Sequence, residues 1–290
     1  MRKNQIILVA IAVVAGTALY LFGNTIKPKT GQAADQHNHA EAPMAGPMMG
    51  GLEDITPADI NSLTAAAKKK LKPETLANLE ALERQLAKAR TDAERTEAYD
   101  LVGRFWHDQK NRLFAAYYVG QSGLLDNSEK KLTFASHLLA EDINKENDPS
   151  VRKLMFDVAD ACYQQLMRVN PADEDVAIDH KLLIIEGAGN VMQGVVMLRD
   201  WSDKHPENKR AHLILGSMSI QSQQFEKALE RADKVLALDR KNLEAYLLKS
   251  QAYQLMGQKD KAIAVLNEAK EMMNNPDFSK DVDAFIEQMK

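Results

Sequence analysis

The 290-residue chain holds a single cysteine, Cys162, so it cannot form an internal disulfide. Cys162 falls in an apolar helical stripe with Met155, Val158, Ala159 and Leu166, the setting of a small buried hydrophobe. The chain also lacks a cationic surface. Its 37 lysines and arginines stand against 41 aspartates and glutamates, a net charge of −4, and no basic face is interleaved with aromatics. Nucleic acid is therefore not an expected partner. The run Lys68-Lys69-Lys70 reads as a solvated helix end at the negative pole of the helix dipole. No serine, threonine or cysteine has a recognisable nucleophile context. His107, His137, His180, His205 and His212 are scattered without zinc-ligand spacing. Gly187, Gly189 and Gly194 follow no strand, which excludes a dinucleotide fingerprint. Asp157 and Asp160 read as the wet face of a helix. No enzyme activity, cofactor or small-molecule substrate is expected.

What is present is a unit written twice. AHLILGSMSIQSQQFEKALERADKVLALD starts at Ala211, and AYLLKSQAYQLMGQKDKAIAVLNEAKEM starts 34 residues later at Ala245. Gly216 aligns with Ser250, Ala228 with Ala262, and Leu238 with Met272. Small residues stand where two helices approach closely, and Leu215, Leu236, Tyr246, Tyr253, Ile263 and Leu266 fill the space between. Gly257 falls at the turn between the two helices, where a positive φ is tolerated. The same register carried upstream gives a looser unit from Ala177, with Gly189 at the turn, Gly194 early in the second helix and Pro206 as the stop. Here Leu182 replaces the small residue. A further unit has Ser136 and Ala159 as its small residues, a polar insertion at 144–149 and Pro171 as its end. The first unit offers Gly103, Ala115 or Ala116, and Gly120.

A 34-residue helix–turn–helix period is the signature of a tetratricopeptide array, in which each pair of helices buries its apolar stripe only against its neighbours. The expected fold is an all-α solenoid of about five such units over residues 95–276, clearest at 174–207, 208–241 and 242–275. Residues 277–290, with Phe278, Val282, Phe285, Ile286 and Met289 at helical spacing, are expected to form a capping helix. Residues 56–94 predict two helices. Thr56 as N-cap and Pro57 open the first, with Ile60, Leu63, Ala67 and Leu71 on one face. Pro73 opens the second, with Leu76, Leu79, Leu82 and Leu86.

Residues 6–22, IILVAIAVVAGTALYLF, carry no charge. At 1.5 Å per residue they cover roughly 26 Å, against a hydrocarbon core of about 30 Å. Arg2 and Lys3 precede the run and Lys27 and Lys29 follow it. Residues 1–23 thus predict a single-pass signal anchor in the cytoplasmic membrane, with the rest of the chain on the periplasmic side. The rival is a cleaved signal peptide. Against it, the run exceeds the length of an ordinary h-region, no small-x-small site follows Phe22, and no lipoprotein cysteine is there. Residues 24–55 are expected to be a flexible linker with a reach of roughly 30 Å. Its His37, His39, Met44, Met48 and Met49 are donors suited to copper. With two histidines and no repeated spacing, the plainer reading is a low-complexity tether.

LILGSMSIQSQQFEKALERADKVLALD, continued upstream by MQGVVMLRDWSDKHPENKRAHLILG, resembles the tetratricopeptide consensus. The order of parts is similar to membrane-anchored tetratricopeptide proteins of bacterial envelopes, over roughly residues 90–290. Lys249 and Leu182 depart from that family's large and small preferences. The resemblance implies a concave groove lined by the first helix of each pair, and a protein or peptide as its ligand. Carried onto this chain, the groove candidates are Arg104, His107, His137, Asp179, Leu183, Arg210, Leu213, Ser217, Gln221, Glu244, Leu247, Gln251 and Gln254. They do not reproduce the basic clamp with which some such arrays hold a C-terminal carboxylate. The implied function is an envelope interaction scaffold. An assembly or chaperone factor, for cytochrome c maturation or outer-membrane protein biogenesis, and copper handling through the linker are the alternatives.

Overall fold

The computed structural model describes residues 51–289. Among them are thirteen α-helices and no strand, as the apolar periodicity requires. In chain order they are α1 (Ile60–Lys68), α2 (Pro73–Lys88), α3 (Asp92–Asp108), α4 (Arg112–Asp126), α5 (Glu129–Asp142), α6 (Pro149–Val169), α7 (Glu174–Glu186), α8 (Val191–Lys204), α9 (Lys209–Gln221), α10 (Phe225–Leu238), α11 (Leu243–Leu255), α12 (Lys259–Met273) and α13 (Pro276–Met289). The described chain divides into two compact units, residues 51–198 and 199–289. The apolar run 6–22 and the donors His37, His39, Met44, Met48 and Met49 lie outside the described residues. No described helix is long and apolar enough to cross a membrane.

In the unit 51–198, side-chain caps set most helix starts. Thr91 and Glu94 form a reciprocal capping box at α3, Asn111 caps α4, Asp148 precedes Pro149 at α6, and Asp173 caps α7. The first helix begins later than Thr56-Pro57 suggest. Asp59 is its N-cap, accepting from the amides of Asn61 and Ser62, and two carboxylate oxygens satisfy two orphan donors where Thr56 would satisfy one. The last residues assigned to the linker, 51–55, are part of the described chain. Leu52–Asp54 form a 3-10 turn, with Leu52 buried and its amide donating to the Ala188 carbonyl at 3.1 Å. Lys68 is not merely solvated, because it pairs with Glu83 of α2.

Successive helices pack in order from α2 to α7, and α4 also meets α6. Leu79, Val102, Phe105, Trp106, Phe114, Ala115 and Tyr118 make one apolar cluster; a second runs from Ala116 through Leu139, Val158 and Leu166 to Leu183. Gly120 sits where a Cβ would meet Ala135 at 3.1 Å and Cys162 Sγ at 3.3 Å, so the small residue permits the close approach. Burial pushes the Cys162 thiol up to about 12, which leaves it a core hydrophobe rather than a nucleophile. Lys131 of α5 ties three helices through Asp100 and Asp126, each at 2.7 Å, and Ser122 at 2.9 Å.

In the unit 199–289 the 34-residue period is visible atom by atom. Asn208 and Asn242 cap α9 and α11 by accepting from Ala211 and Ala245, both at 2.9 Å. Gln223 (φ 59°) and Gly257 (φ 73°) hold the same left-handed turn in the two hairpins. Ala211, Ala245, Ala228 and Ala262 are fully buried. A Cβ on Gly216 would come within 2.4 Å of Leu248 Cδ2, and Ser250 instead donates its hydroxyl to the Ala262 carbonyl at 3.2 Å. Lys249, the departure from an apolar preference, is explained by Asp233 of α10, which accepts from its ammonium at 2.6 Å while the stem stays partly covered. Helix α13 packs on α12 and closes the apolar cluster around Leu266.

His212 is buried in this unit. Its Nε2 lies 2.9 Å from the Pro206 carbonyl, and its Nδ1 lies 2.9 Å from Arg231 Nη1 and 3.3 Å from the Ser202 hydroxyl. The carbonyl can only accept and the guanidinium can only donate, so the ring is the neutral Nε2–H tautomer. Burial first, then repulsion from Arg231 and Lys234, hold its pKa below the usual 6.5, against the pull of Pro206 and Asp203. The unfolded chain therefore takes up this proton more readily than the folded one. Stability tied to His212 is present above about pH 6.5 and declines as pH falls through and below that value. Urea midpoints from about pH 7 to about pH 5 are expected to fall more steeply for the wild type than for His212→Gln, which keeps one donor and one acceptor. Parallel profiles for the two proteins would show that His212 contributes no such dependence.

Candidate functional site

Helix α5 carries His137, Ala140 and Glu141 at i, i+3 and i+4, and α7 carries Asp179, Leu182, Leu183 and Glu186 at i, i+3, i+4 and i+7. Helical spacing places each set on one face. Together with Ile143, Tyr163 of α6 and Gly187 they line a cleft of about 260 Å³. Its apolar part is Ala140, Ile143, Leu182 and Leu183. Leu182, larger than the repeat register asks for, lines this space instead of entering a tight helix crossing. Gly187 stays small for a reason, since a Cβ there would lie 2.7 Å from the Leu183 carbonyl and 3.0 Å from Ile143.

The polar part is anchored across helices. His137 Nε2 lies 3.3 Å from Asp179. Tyr163, 2% exposed, has its ring centroid 6.0 Å from that of His137 and 6.1 Å from that of His180. His180 Nε2 lies 2.6 Å from Asp160, whose other oxygen accepts from Gln164 at 2.7 Å. Asp160 is thus not simply a wet-face carboxylate. It faces a histidine 20 residues on, a pairing that helical periodicity within α6 could not reveal. At the mouth, Arg112 at 2.9 Å and Lys145 at 3.3 Å hydrogen-bond Glu141 and hold its carboxyl below the usual range.

Of the thirteen groove candidates, His137, Asp179 and Leu183 come together in this cleft. Leu183 is 3% exposed and belongs as much to the core as to the cleft wall. Arg104 and His107 are exposed on α3 and do not join them. The remaining candidates lie in the other unit, on α9 and α11, which pack against each other. There Ser217, Gln221 and Glu244 are exposed, and Arg210, Gln251 and Gln254 are half-buried. Leu213 and Leu247 are half-buried and pack on the clusters around Ala232 and Leu266 respectively. Sequence reasoning missed Glu141, Tyr163 and Glu186. The signal for two of them was available, since Glu141 is i+4 from His137 and Glu186 is i+7 from Asp179. Tyr163 comes from a second helix, which a rule confined to first helices passes over.

Residues 219–280 match the tetratricopeptide repeat family model. The match runs from the end of α9 through α10, α11 and α12 into α13, and takes in the Gln223 and Gly257 turns and the Asn242 cap. A solved structure of YrrB, described as a TPR protein with an unusual peptide-binding site, is 13% identical to this chain. That likeness covers 71% of this chain and 99% of the other, with a TM-score of 0.41. No curated protein matches the chain.

Proposed function

We propose that this chain is a protein-interaction scaffold, held at the membrane of a bacterial envelope by residues 6–22, that binds a protein or peptide segment through its helical hairpins and performs no catalysis. The observation that supports this most is the tetratricopeptide match over residues 219–280, in hairpins whose first helices α9 and α11 lie side by side. That arrangement offers Ser217, Gln221, Gln251 and Gln254 as donors and acceptors beside the aliphatic Leu213 and Leu247, a mixed surface suited to a peptide backbone. The uncharged run 6–22, roughly as long as a hydrocarbon core, supports the tether. Crosslinking of the full chain in native membranes, followed by mass spectrometry, is expected to recover one partner in stoichiometric amount. Recovery of abundant bystanders alone would overturn the scaffold reading.

A further inference from the structure

The cleft between α5, α6 and α7 has a chemistry that selects its occupant. We infer that it receives a lysine or arginine side chain carried on an aliphatic-flanked segment of a protein partner. The inference rests on the scaffold reading and adds the ligand class of one site.

Four observations converge. The volume, about 260 Å³, is below the roughly 300–1,000 Å³ of ordinary small-molecule sites and is of a size for one long side chain. Three carboxylates line the space, Glu141, Asp179 and Glu186, against one ionisable base, His137. Glu141 is engaged from outside by Arg112 and Lys145, and Asp179 by His137, whereas Glu186 is exposed and makes no ion pair among the described residues. Third, α7 ends here, closing at Glu186 just before Gly187, whereas α5 passes directly into a 3-10 turn, Ile143–Lys145. A helix C-terminus carries partial negative charge and favours a cation, so the α7 end acts in the same sense as the carboxylates. Finally, Ile143, Leu182 and Leu183 form an apolar floor beside the Tyr163 ring. A free inorganic cation gains nothing from such a floor. The methylene stem of a lysine or arginine does, while its head stays at the carboxylates.

The test pans a random-peptide phage library on the full chain in a non-ionic detergent, then measures synthetic versions of the enriched peptides by fluorescence anisotropy. Enriched peptides are expected to share a lysine or arginine flanked by aliphatic residues. Replacing that residue by norleucine is expected to weaken binding about tenfold or more, the scale of a charge-assisted hydrogen bond. Glu186→Gln, an exposed substitution that leaves the core untouched, and Asp179→Asn, checked for retained fold by circular dichroism, should each reproduce part of that loss. Added salt should weaken the wild-type complex more than the variant ones. Enriched peptides without a basic residue, or basic peptides indifferent to both substitutions, overturn the cleft assignment. Neither result touches the scaffold reading, which the crosslinking experiment judges separately.

Discussion

Removing residues 276–290 is expected to abolish cooperative folding of the unit that begins at Arg199. Helix α13 places Phe278, Val282, Ile286 and Met289, each at most 6% exposed, against Tyr246, Ala262, Val265, Leu266 and Ala269. Burying a side chain of that size contributes about 1.5–3 kcal/mol, so four of them rival the whole margin of about 5–15 kcal/mol by which domains are stable. The faces they leave behind would be exposed together, in a repeat architecture where a terminal unit without its cap is unstable and prone to associate. Polar contacts add direction to the packing. Asn275 accepts from the Asp277 and Phe278 amides at 3.0 and 3.2 Å, and Lys270 of α12 pairs with Asp283. The truncated chain should bind a hydrophobic dye and be cut by protease within residues 199–275. Phe278→Ala, which leaves the helix in place, should lower stability by about 3–5 kcal/mol. Unchanged thermal midpoints for both variants would mean that α13 is an appendage and not a cap.

The second large effect is expected at Trp106. Its side chain is 2% exposed in α3, 5.3 Å from the Phe105 ring and 4.7 Å from the Phe114 ring, at the centre of the cluster that joins α1 to α4. Trp106→Ala removes the largest side chain of that cluster and should cost about 3–5 kcal/mol, because surrounding helices relax only partly into the cavity. Trp106→Phe should cost markedly less. It keeps an aromatic ring, and the Nε1–H it removes has no protein hydrogen-bond partner. Denaturant midpoints of the three proteins check the order. Equal losses for Ala and Phe would place the effect in the indole N–H, contrary to the packing argument.

The parts legible in sequence and the parts that were not divide along a physical line. Ala211 and Ala245, Gly216 and Ser250, Ala228 and Ala262 declared close helix approaches because small residues at a fixed period have no other common use. Pro73 stands at the first position of its helix, as expected, whereas Pro149, assigned to the polar insertion, opens α6. The N-terminal helix was placed too early because Thr56-Pro57 and Asp59 both satisfy the rules for a start. Two oxygens on Asp59, reaching two amides, made the stronger cap. Leu52 sits in a glycine- and methionine-rich stretch, and nothing local marks it as buried; its amide bonds the carbonyl of Ala188, far along the chain.

The sequence by itself determined the all-helical class, the repeated hairpins of residues 208–275 and the closing helix, since each depends on periodicity and caps within one or two helices. The cleft was decided only by the tertiary structure. It needs α5, α6 and α7 brought together, with Leu182 holding space, Gly187 leaving it open, Tyr163 entering from a second helix and α7 ending beside it. Pairings such as Asp160 with His180 and Lys131 with Asp100 belong to the same class. Electrostatic partners chosen across helices follow from packing, and packing is a property of the whole unit rather than of any stretch of the chain.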